Sequence, residues 1–187
     1  MNIDLQQFCA SEHDRRTWLR TPFNVGGKTG ASNGLIMIEL DAVGDHPSPP
    51  SDFNVAKVLD STPTAGYEPL PALPAPVLVP CRKCGGHGHG RKCESCDGDG
   101  EFEHHGHDYE CKACDGEGEL AGECPDCRGT GKRETSNLVQ INDAFFNLRY
   151  LSLVAALPSA EIATAGPSGI AGFRFIGGRG ALMPTRT

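Results

Sequence analysis

Regular apolar patterns occur in two outer segments of the chain, residues 1–43 and 132–187. In the first segment, the spacing predicts a short helix over residues 3–10 and strands over residues 22–25 and 35–40. A glycine-rich turn region separates the two strands. Residues 1–43 therefore resemble the start of a small mixed domain, too short to be complete.

The second outer segment combines one predicted helix with several short strands. A strand over residues 138–141 precedes a helix that Asn142 or Asp143 caps and Pro158 ends. The helix has a broad apolar face, formed by Phe145, Phe146, Leu148, Leu151, Leu153, Val154 and Leu157. Three further strands are predicted over residues 161–164, 172–176 and 181–184.

Neither outer segment is long enough to bury a stable core by itself, since one has 43 residues and the other 56. We expect them to pack together as one α+β domain of about 99 residues, split by an insertion. The insertion begins with residues 44–80, which contain nine of the fourteen prolines. This composition predicts a linker or loosely packed arm, in which residues 52–59 could pack locally.

Within residues 81–131 the pattern Cys-x-x-Cys-x-Gly-x-Gly occurs four times. Two cysteines three positions apart let one chain turn present two sulfur atoms to a metal, and two such turns complete a tetrahedron. Glycine suits these turns because it adopts positive φ angles at little steric cost. The pattern predicts two zinc ions per chain, held by eight ligands: Cys81, Cys84, Cys93, Cys96, Cys111, Cys114, Cys124 and Cys127.

Five histidines in the same region leave an alternative open, because they could replace a cysteine ligand or form a third metal site. Since eight thiols already complete two tetrahedra, we expect these histidines to be exposed. They are His87, His89, His104, His105 and His107. Cys9 has no partner at metal spacing, and the expected role is a small buried core residue.

The net charge of −7 is unevenly distributed. Residues 81–131 hold 12 acidic and 6 basic residues, and eight thiolates with two zinc ions would bring their charge from −6 to −10. Nucleic acids are bound mainly through Lys and Arg, so residues 132–187, at +3, are the better candidate for such binding. A basic face could form, although ordinary solvated surface is expected, from Arg15, Arg16, Arg20, Lys132, Arg133 and Arg149.

Composition also limits the compartment and the chemistry. No apolar stretch approaches the roughly 18 residues of a membrane span, and the N-terminal residues lack the pattern of a signal peptide. Cysteines at metal spacing favour zinc in a reducing cytoplasm over disulfides. Catalytic zinc keeps a position open for water, whereas these thiolates leave none, so we expect no enzymatic activity. Thiol–disulfide exchange by metal-free Cys-x-x-Cys pairs is a minor alternative.

The four repeats resemble the cysteine-rich domain of DnaJ-type, class I J-domain co-chaperones, over about a quarter of the chain. In that family the first and fourth repeats bind one zinc ion and the second and third bind the other. The resemblance implies one site at Cys81, Cys84, Cys124 and Cys127, and another at Cys93, Cys96, Cys111 and Cys114. A β-hairpin over residues 101–110 would join the middle repeats, whose pairing closes the shortest nested loop.

The other domains of that co-chaperone family are not recognisable in the sequence. Its J-domain carries a His-Pro-Asp tripeptide, whereas the nearest string here is His46-Pro47-Ser48. No Gly/Phe-rich region or client-binding β-sandwich is apparent. The chain therefore resembles only the zinc module of the family.

The outer segments are similar to one domain of a bacterial β sliding clamp. The similarity includes Asn147, Tyr150 and Leu151 in the predicted helix and the Asn33-Gly34 turn. It also includes the last strand, through Leu182, Met183, Pro184 and Arg186. It implies a small clamp-like domain split by the inserted zinc module, but a clamp ring needs six such domains, so one copy does not encircle DNA.

The main functional hypothesis is a non-catalytic zinc-binding protein that acts as an adaptor or inhibitor of a protein partner through its acidic module. One alternative is a DNA- or replication-associated accessory factor that binds nucleic acid through the C-terminal basic segment. Another is a chaperone-like holdase for unfolded chains. The similarity to parts of two larger proteins would suit a compact phage protein, and oligomer formation stays open.

Overall fold

The computed structural model describes residues 3–124, 126–127, 129–135 and 137–186. The chain divides into two compact units, one formed by Met1–Ala75 with Ser136–Thr187 and the other by Pro76–Thr135. The first unit therefore contains residues 1–43, most of the proline-rich stretch and all but the first four residues of the second outer segment. The second unit contains the four cysteine repeats.

Short strands dominate the described residues, and the helices are few. The helical segments are two 3-10 turns, Leu5–Phe8 and Thr17–Arg20, and two α-helices, α1 (Val55–Asp60) and α2 (Leu148–Ala155). The strands are β1 (Phe23–Val25), β2 (Lys28–Ser32), β3 (Ile36–Asp41), β4 (Glu68–Pro69), β5 (Leu78–Pro80), β6 (His89–Lys92), β7 (Glu101–His104), β8 (His107–Glu110), β9 (Glu119–Glu123), β10 (Lys132–Glu134), β11 (Leu138–Ile141), β12 (Ala144–Asn147), β13 (Glu161–Ala163), β14 (Ala171–Phe175) and β15 (Gly178–Leu182). The fold is thus mostly β with few helices, whereas an α+β domain was expected from the sequence.

A seven-stranded antiparallel sheet organises the first unit, in the order β1-β2-β3-β15-β14-β13-β4. At its centre β3 pairs with β15, and Ile38 lies opposite Gly180. Strands from both outer segments therefore belong to one sheet. Neither segment could form this sheet alone, because the central pair joins residues about 140 positions apart.

The two faces of the sheet bury separate apolar clusters, as the alternation of side chains along a strand requires. On one face Ile36, Ile38 and Phe173 pack with Phe146 of β12 and Leu151 of α2. The second face holds a smaller cluster, in which β1, β3 and β15 pack against α1, through Phe23, Met37, Val55, Leu59 and Ala181. The sheet is consequently the middle layer of three.

Trp18 extends the smaller cluster. Its ring centroid lies 4.4 Å from that of Phe53, just before α1, and 5.8 Å from that of Phe23 in an edge-to-face arrangement. Residues 52–59, predicted to pack locally, thus include part of a helix docked on the sheet, with Val55 and Leu59 buried. The proline-rich stretch also supplies β4, which pairs with β13 at the sheet edge. Up to Ala75 this stretch belongs to the first unit.

The helix predicted after residue 141 is wrong in its first part. Asn142 has a φ of 54° and makes a tight turn, so that Ile141 lies opposite Ala144 in a β11–β12 hairpin. Phe145 and Phe146 therefore lie in a strand, and α2 begins only at Leu148. Its cap is Asn147, whose side-chain oxygen accepts a hydrogen bond from the N–H of Arg149 at 2.9 Å.

Two smaller differences concern the N-terminal segment. The helix predicted over residues 3–10 is a single 3-10 turn, Leu5–Phe8, capped by Asp4. The region read as a turn after residue 25 contains β2, whose first partner strand is β1. Gly26 and Gly27, both with positive φ, form the hairpin turn between these strands. No helix in the described ranges is long and apolar enough to cross a membrane.

Replacing Leu151 with alanine tests the larger core, because this fully buried side chain joins α2 to the sheet. We expect Leu151→Ala to lower the free energy of unfolding by about 2–5 kcal/mol. Urea denaturation followed by the fluorescence of Trp18, the single tryptophan, measures the change. Ile176→Ala is the control, since Ile176 is 68% exposed and should change stability by less than about 0.5 kcal/mol. Equal losses in both variants would contradict this account of the core.

Candidate metal centre

The second unit is a series of three antiparallel ribbons nested along the chain. The outermost ribbon pairs β5 with β10, the next pairs β6 with β9, and the innermost is the β7–β8 hairpin. Each cysteine pair lies in a turn between two ribbons. The first and fourth repeats consequently meet between the outer two ribbons, and the second and third meet between the inner two.

Backbone hydrogen bonds join the cysteine turns to the ribbons. The N–H of Cys81 donates to the carbonyl of Gly131 at 2.8 Å, and that of Cys93 donates to the carbonyl of Gly118 at 2.9 Å. The N–H of Cys111 donates to the carbonyl of a glycine in the facing repeat at 2.8 Å. These bonds hold facing repeats in register, so that four sulfur atoms converge at each level.

The eight cysteines form two separate clusters of four, and all are buried. The outer cluster contains Cys81, Cys84, Cys124 and Cys127, and the inner cluster contains Cys93, Cys96, Cys111 and Cys114. These are the two sets that the sequence resemblance implied. Pro125 and Arg128 of the fourth repeat lie outside the described residues.

The sulfur separations match tetrahedral zinc. Sγ–Sγ distances are 3.8 Å for Cys81–Cys124 and 3.7 Å for Cys84–Cys127. The corresponding pairs of the inner cluster are also 3.8 and 3.7 Å apart. A regular tetrahedron with zinc–sulfur bonds of about 2.3 Å has edges of about 3.8 Å. A disulfide would need about 2.05 Å, so the geometry fits one zinc ion per cluster and two per chain.

The last glycine of each repeat has a steric role that spacing alone does not reveal. A Cβ on Gly100 would collide with the carbonyl oxygen of Gly116, and a Cβ on Gly118 would collide with that of Gly98. The first and fourth repeats show the same reciprocal relation. Facing repeats therefore approach through their backbones, and only glycine permits this approach.

The same glycines donate hydrogen bonds to sulfur. The N–H of Gly88 lies 3.2 Å from Sγ of Cys84, and that of Gly100 lies 3.3 Å from Sγ of Cys96. Donors directed at sulfur favour the thiolate form. The turns are therefore built to accept the negative charge that a metal ligand must carry.

Two thiols ionise more readily than an ordinary cysteine. Burial raises the pKa of Cys84, but the backbone N–H groups of Gly88 and Gly86 and the nearby thiols lower it to about 7. Burial likewise raises the pKa of Cys93, and N–H groups two and three residues further on lower it to about 7. Each cluster consequently contains one thiol that can lose its proton near neutral pH.

Two other thiols hold their protons strongly. Burial and the neighbouring thiols of the inner cluster raise the pKa of Cys114 to about 12, against a hydrogen bond from Gly118. In the outer cluster, burial and neighbouring thiols raise the pKa of Cys127 to about 11. Without metal, a cluster cannot carry four thiolate charges at neutral pH. A zinc ion that displaces these protons would offset the repulsion between the sulfurs.

The histidines do not take part in these clusters, which contain cysteines alone among the described residues. All five histidines of the region are exposed. Cys9 lies in the first unit, where its thiol donates to the carbonyl of Leu5 at 3.5 Å. It is half-buried, and burial, with a smaller effect of Asp4, raises its pKa to about 11.

The candidate basic residues are distributed over both units, because Lys132 and Arg133 belong to the second and the others to the first. Arg16 forms an ion pair with Asp14 at 3.0 Å, and Arg133 forms one with Asp126 at 3.2 Å. Hydrogen bonds from Arg16 lower the pKa of Asp14 to about 2.

Several positions on which the clamp resemblance was based contribute to packing or capping in the first unit. Leu151 and Leu182 are fully buried in the larger core, and Asn147 caps α2. Tyr150 packs against the same core, whereas Met183 is partly exposed.

Comparison with protein-family models, with curated proteins and with solved structures found no match for this chain. The assignment of a two-zinc module therefore depends on the number, burial and separation of its own sulfur atoms.

The pairing of repeats can be tested with two double variants that each remove two cysteines. Cys96→Ser with Cys114→Ser removes two ligands of the inner cluster, so one zinc ion per chain should remain. Cys84→Ser with Cys96→Ser damages both clusters, so neither site should keep tightly bound zinc. Zinc content after dialysis, measured by elemental mass spectrometry, distinguishes the two. The reverse result would show that consecutive repeats pair instead.

The backbone approach at the inner site can be tested with Gly100→Ala, whose methyl group would collide with a carbonyl oxygen. Overpacking of this kind costs about 1–3 kcal/mol, so zinc affinity of the inner site should fall by roughly tenfold. Gly106→Ala is the matched control, because its φ of 75° is close to the 79° of Gly100 but nothing lies within 4 Å of its added Cβ. Competition with a chelating dye measures both affinities, and an equal loss in the control would assign the effect to φ alone.

Proposed function

We propose that this protein is a non-catalytic adaptor or inhibitor, whose DnaJ-like zinc module binds a protein partner. The observation that carries the proposal is the composition of the buried part of the module. Its two buried clusters consist of cysteines, and among the described apolar side chains only Leu120 packs against them. The described residues of the module thus form a metal-binding interior and include no apolar core that could fold it otherwise.

A structural role for zinc follows from this arrangement. Binding at structural cysteine sites contributes on the order of 10 kcal/mol or more per ion, which is enough to fold a small module. Four sulfurs around each ion also leave no coordination position for water or substrate. Both arguments support an interaction module rather than an enzyme. The free cysteines also favour a reducing compartment, where thiols persist.

The charge distribution supports a protein partner over a nucleic acid. The module carries a formal charge of −6 before any thiolate is counted, which opposes binding of phosphates. In the basic C-terminal segment, Arg133, Arg174 and Arg179 each form an ion pair with a carboxylate. Part of the positive charge of residues 132–187 is therefore already compensated within the chain.

We further propose that the first unit acts as a clamp-like scaffold from which the module is inserted. Ala75 and Ser136 mark the points where the chain leaves and re-enters this unit. Three-layered packing around β3 and β15 stabilises the first unit. An insertion of this kind can present a separate binding surface without contributing to the scaffold core.

Affinity capture from native lysate tests the adaptor proposal. The tagged, zinc-loaded protein should retain one partner at near-stoichiometric amounts, resistant to nuclease treatment. Cys93→Ser with Cys96→Ser should lose this partner, because the inner site no longer folds, whereas Cys9→Ser should retain it since Cys9 lies outside both clusters. Quantitative mass spectrometry gives the ratios.

Three results would contradict this proposal. Many weak partners that increase on heating would indicate a holdase for unfolded chains. A partner captured equally by the cysteine double variant would show that the module is not the binding element. Loss of all partners after nuclease treatment would favour the nucleic-acid alternative.

A further inference from the structure

The innermost ribbon has two chemically different faces. It is an antiparallel hairpin whose two-residue turn, His105-Gly106, has positive φ at both positions. Its cross-strand pairs are Glu101–Glu110, Phe102–Tyr109, Glu103–Asp108 and His104–His107. Side chains alternate between faces along a strand. One face therefore holds four carboxylates, and the other holds two aromatic rings and two imidazoles.

The rings of the aromatic face contact one another, yet the face is exposed to solvent. The rings of Phe102 and Tyr109 are stacked with centroids 6.1 Å apart and planes inclined by 22°. The ring of His104 lies 6.5 Å from that of Tyr109. Phe102 and Tyr109 remain 49% and 47% exposed, and neither belongs to a buried cluster among the described residues. An aromatic pair with no core to support is typical of an interaction surface.

The acidic face brings like charges together. Glu101 lies directly opposite Glu110, and Glu103 lies directly opposite Asp108. No ion pair involves these four carboxylates among the side chains that the structure describes. Like charges in opposite positions destabilise a hairpin. A cationic partner would relieve this repulsion, so the hairpin is complementary to positive charge.

We infer that this hairpin is the docking element of the module, and that its occupant is an arginine-rich segment of a protein. This inference deepens the proposed adaptor function and rests on it. A guanidinium group stacks on exposed aromatic rings, which suits Phe102 and Tyr109. It also forms paired hydrogen bonds with carboxylates, which suits the opposite face. An arginine-rich segment is therefore complementary to both faces.

Other occupants fit the two faces less well. A nucleic acid could stack on the rings, but its phosphates would be repelled by the carboxylates and by the charge of −6 on residues 81–131. A lysine-rich segment would satisfy the carboxylates, yet its ammonium groups lack the planar fork of arginine. The hairpin should consequently prefer arginine over lysine at equal charge.

Fluorescence anisotropy with the full-length, zinc-loaded protein tests this inference. The probes are two fluorescein-labelled peptides, one of alternating arginine and glycine and one of alternating lysine and glycine, at physiological salt. Wild-type protein should bind the arginine peptide more tightly. Phe102→Ala with Tyr109→Ala should weaken arginine binding by roughly fivefold or more, because exposed cation–π contacts are lost, and should change lysine binding less.

Two charge variants distinguish the contribution of the hairpin carboxylates to binding from that of the overall charge of the module. The hairpin variant is Glu101→Gln, Glu103→Gln, Asp108→Asn and Glu110→Gln. The control variant removes the same charge from exposed positions outside the hairpin tip, through Asp99→Asn, Glu117→Gln, Glu119→Gln and Glu123→Gln. The hairpin variant should weaken arginine binding by roughly tenfold relative to the control. Each variant must first retain two zinc ions per chain.

Equal weakening by the two charge variants would overturn the inference, because binding would then depend on diffuse charge. Unchanged arginine binding after loss of both aromatic rings would also overturn it. The adaptor proposal can survive either result: a partner captured in a zinc-dependent manner and equally by the hairpin variants would place docking elsewhere on the module. Loss of zinc-dependent capture itself would instead reject the adaptor proposal.

Discussion

Repulsion between closely packed sulfur atoms is the constraint on which the second unit depends. In each cluster the sulfurs of facing repeats are 3.7–3.8 Å apart and all four lie within 4.8 Å of one another, too far apart for disulfides and too close to ionise together. A divalent ion resolves this conflict, because it binds all four thiolates at a distance that the backbone already provides. Since the described residues of the unit bury little else, its folding free energy should be largely the free energy of metal binding.

The nested ribbons follow from the same constraint. Each metal level needs two chain turns to approach closely, and the glycines that end the repeats allow their backbones to do so. The ribbons between levels can be short, because they connect metal sites rather than enclose a core. The innermost hairpin thus remains exposed on both faces, which is unusual for a stable two-stranded ribbon in isolation.

The sequence predicted these two units to different extents. Cysteine spacing identified all eight cysteines of the two clusters, because metal coordination uses few residue types and needs them at fixed intervals. The β3, β13 and β14 regions were predicted as strands, whereas the strand predicted over residues 181–184 begins earlier, at Gly178. The helix start was misplaced because Asn142 suits both a cap and a tight turn, and burial of Phe146 in the sheet core decides between them. Docking of α1 on the sheet was predicted only as local packing, since the contacts of Leu59 depend on distant strands. The glycine–carbonyl contacts were missed because they join separate repeats.

Because zinc binding stabilises the module, side chains on its surface need not contribute to its folding free energy. In an ordinary small domain, cross-strand pairs must contribute to stability, so opposed carboxylates such as Glu103 and Asp108 would be costly. Here zinc binding on the order of 10 kcal/mol per site can offset that repulsion. The surface can therefore concentrate one sign of charge beside exposed aromatic rings. This combination would destabilise an isolated hairpin, but it suits a hairpin that binds a basic protein segment.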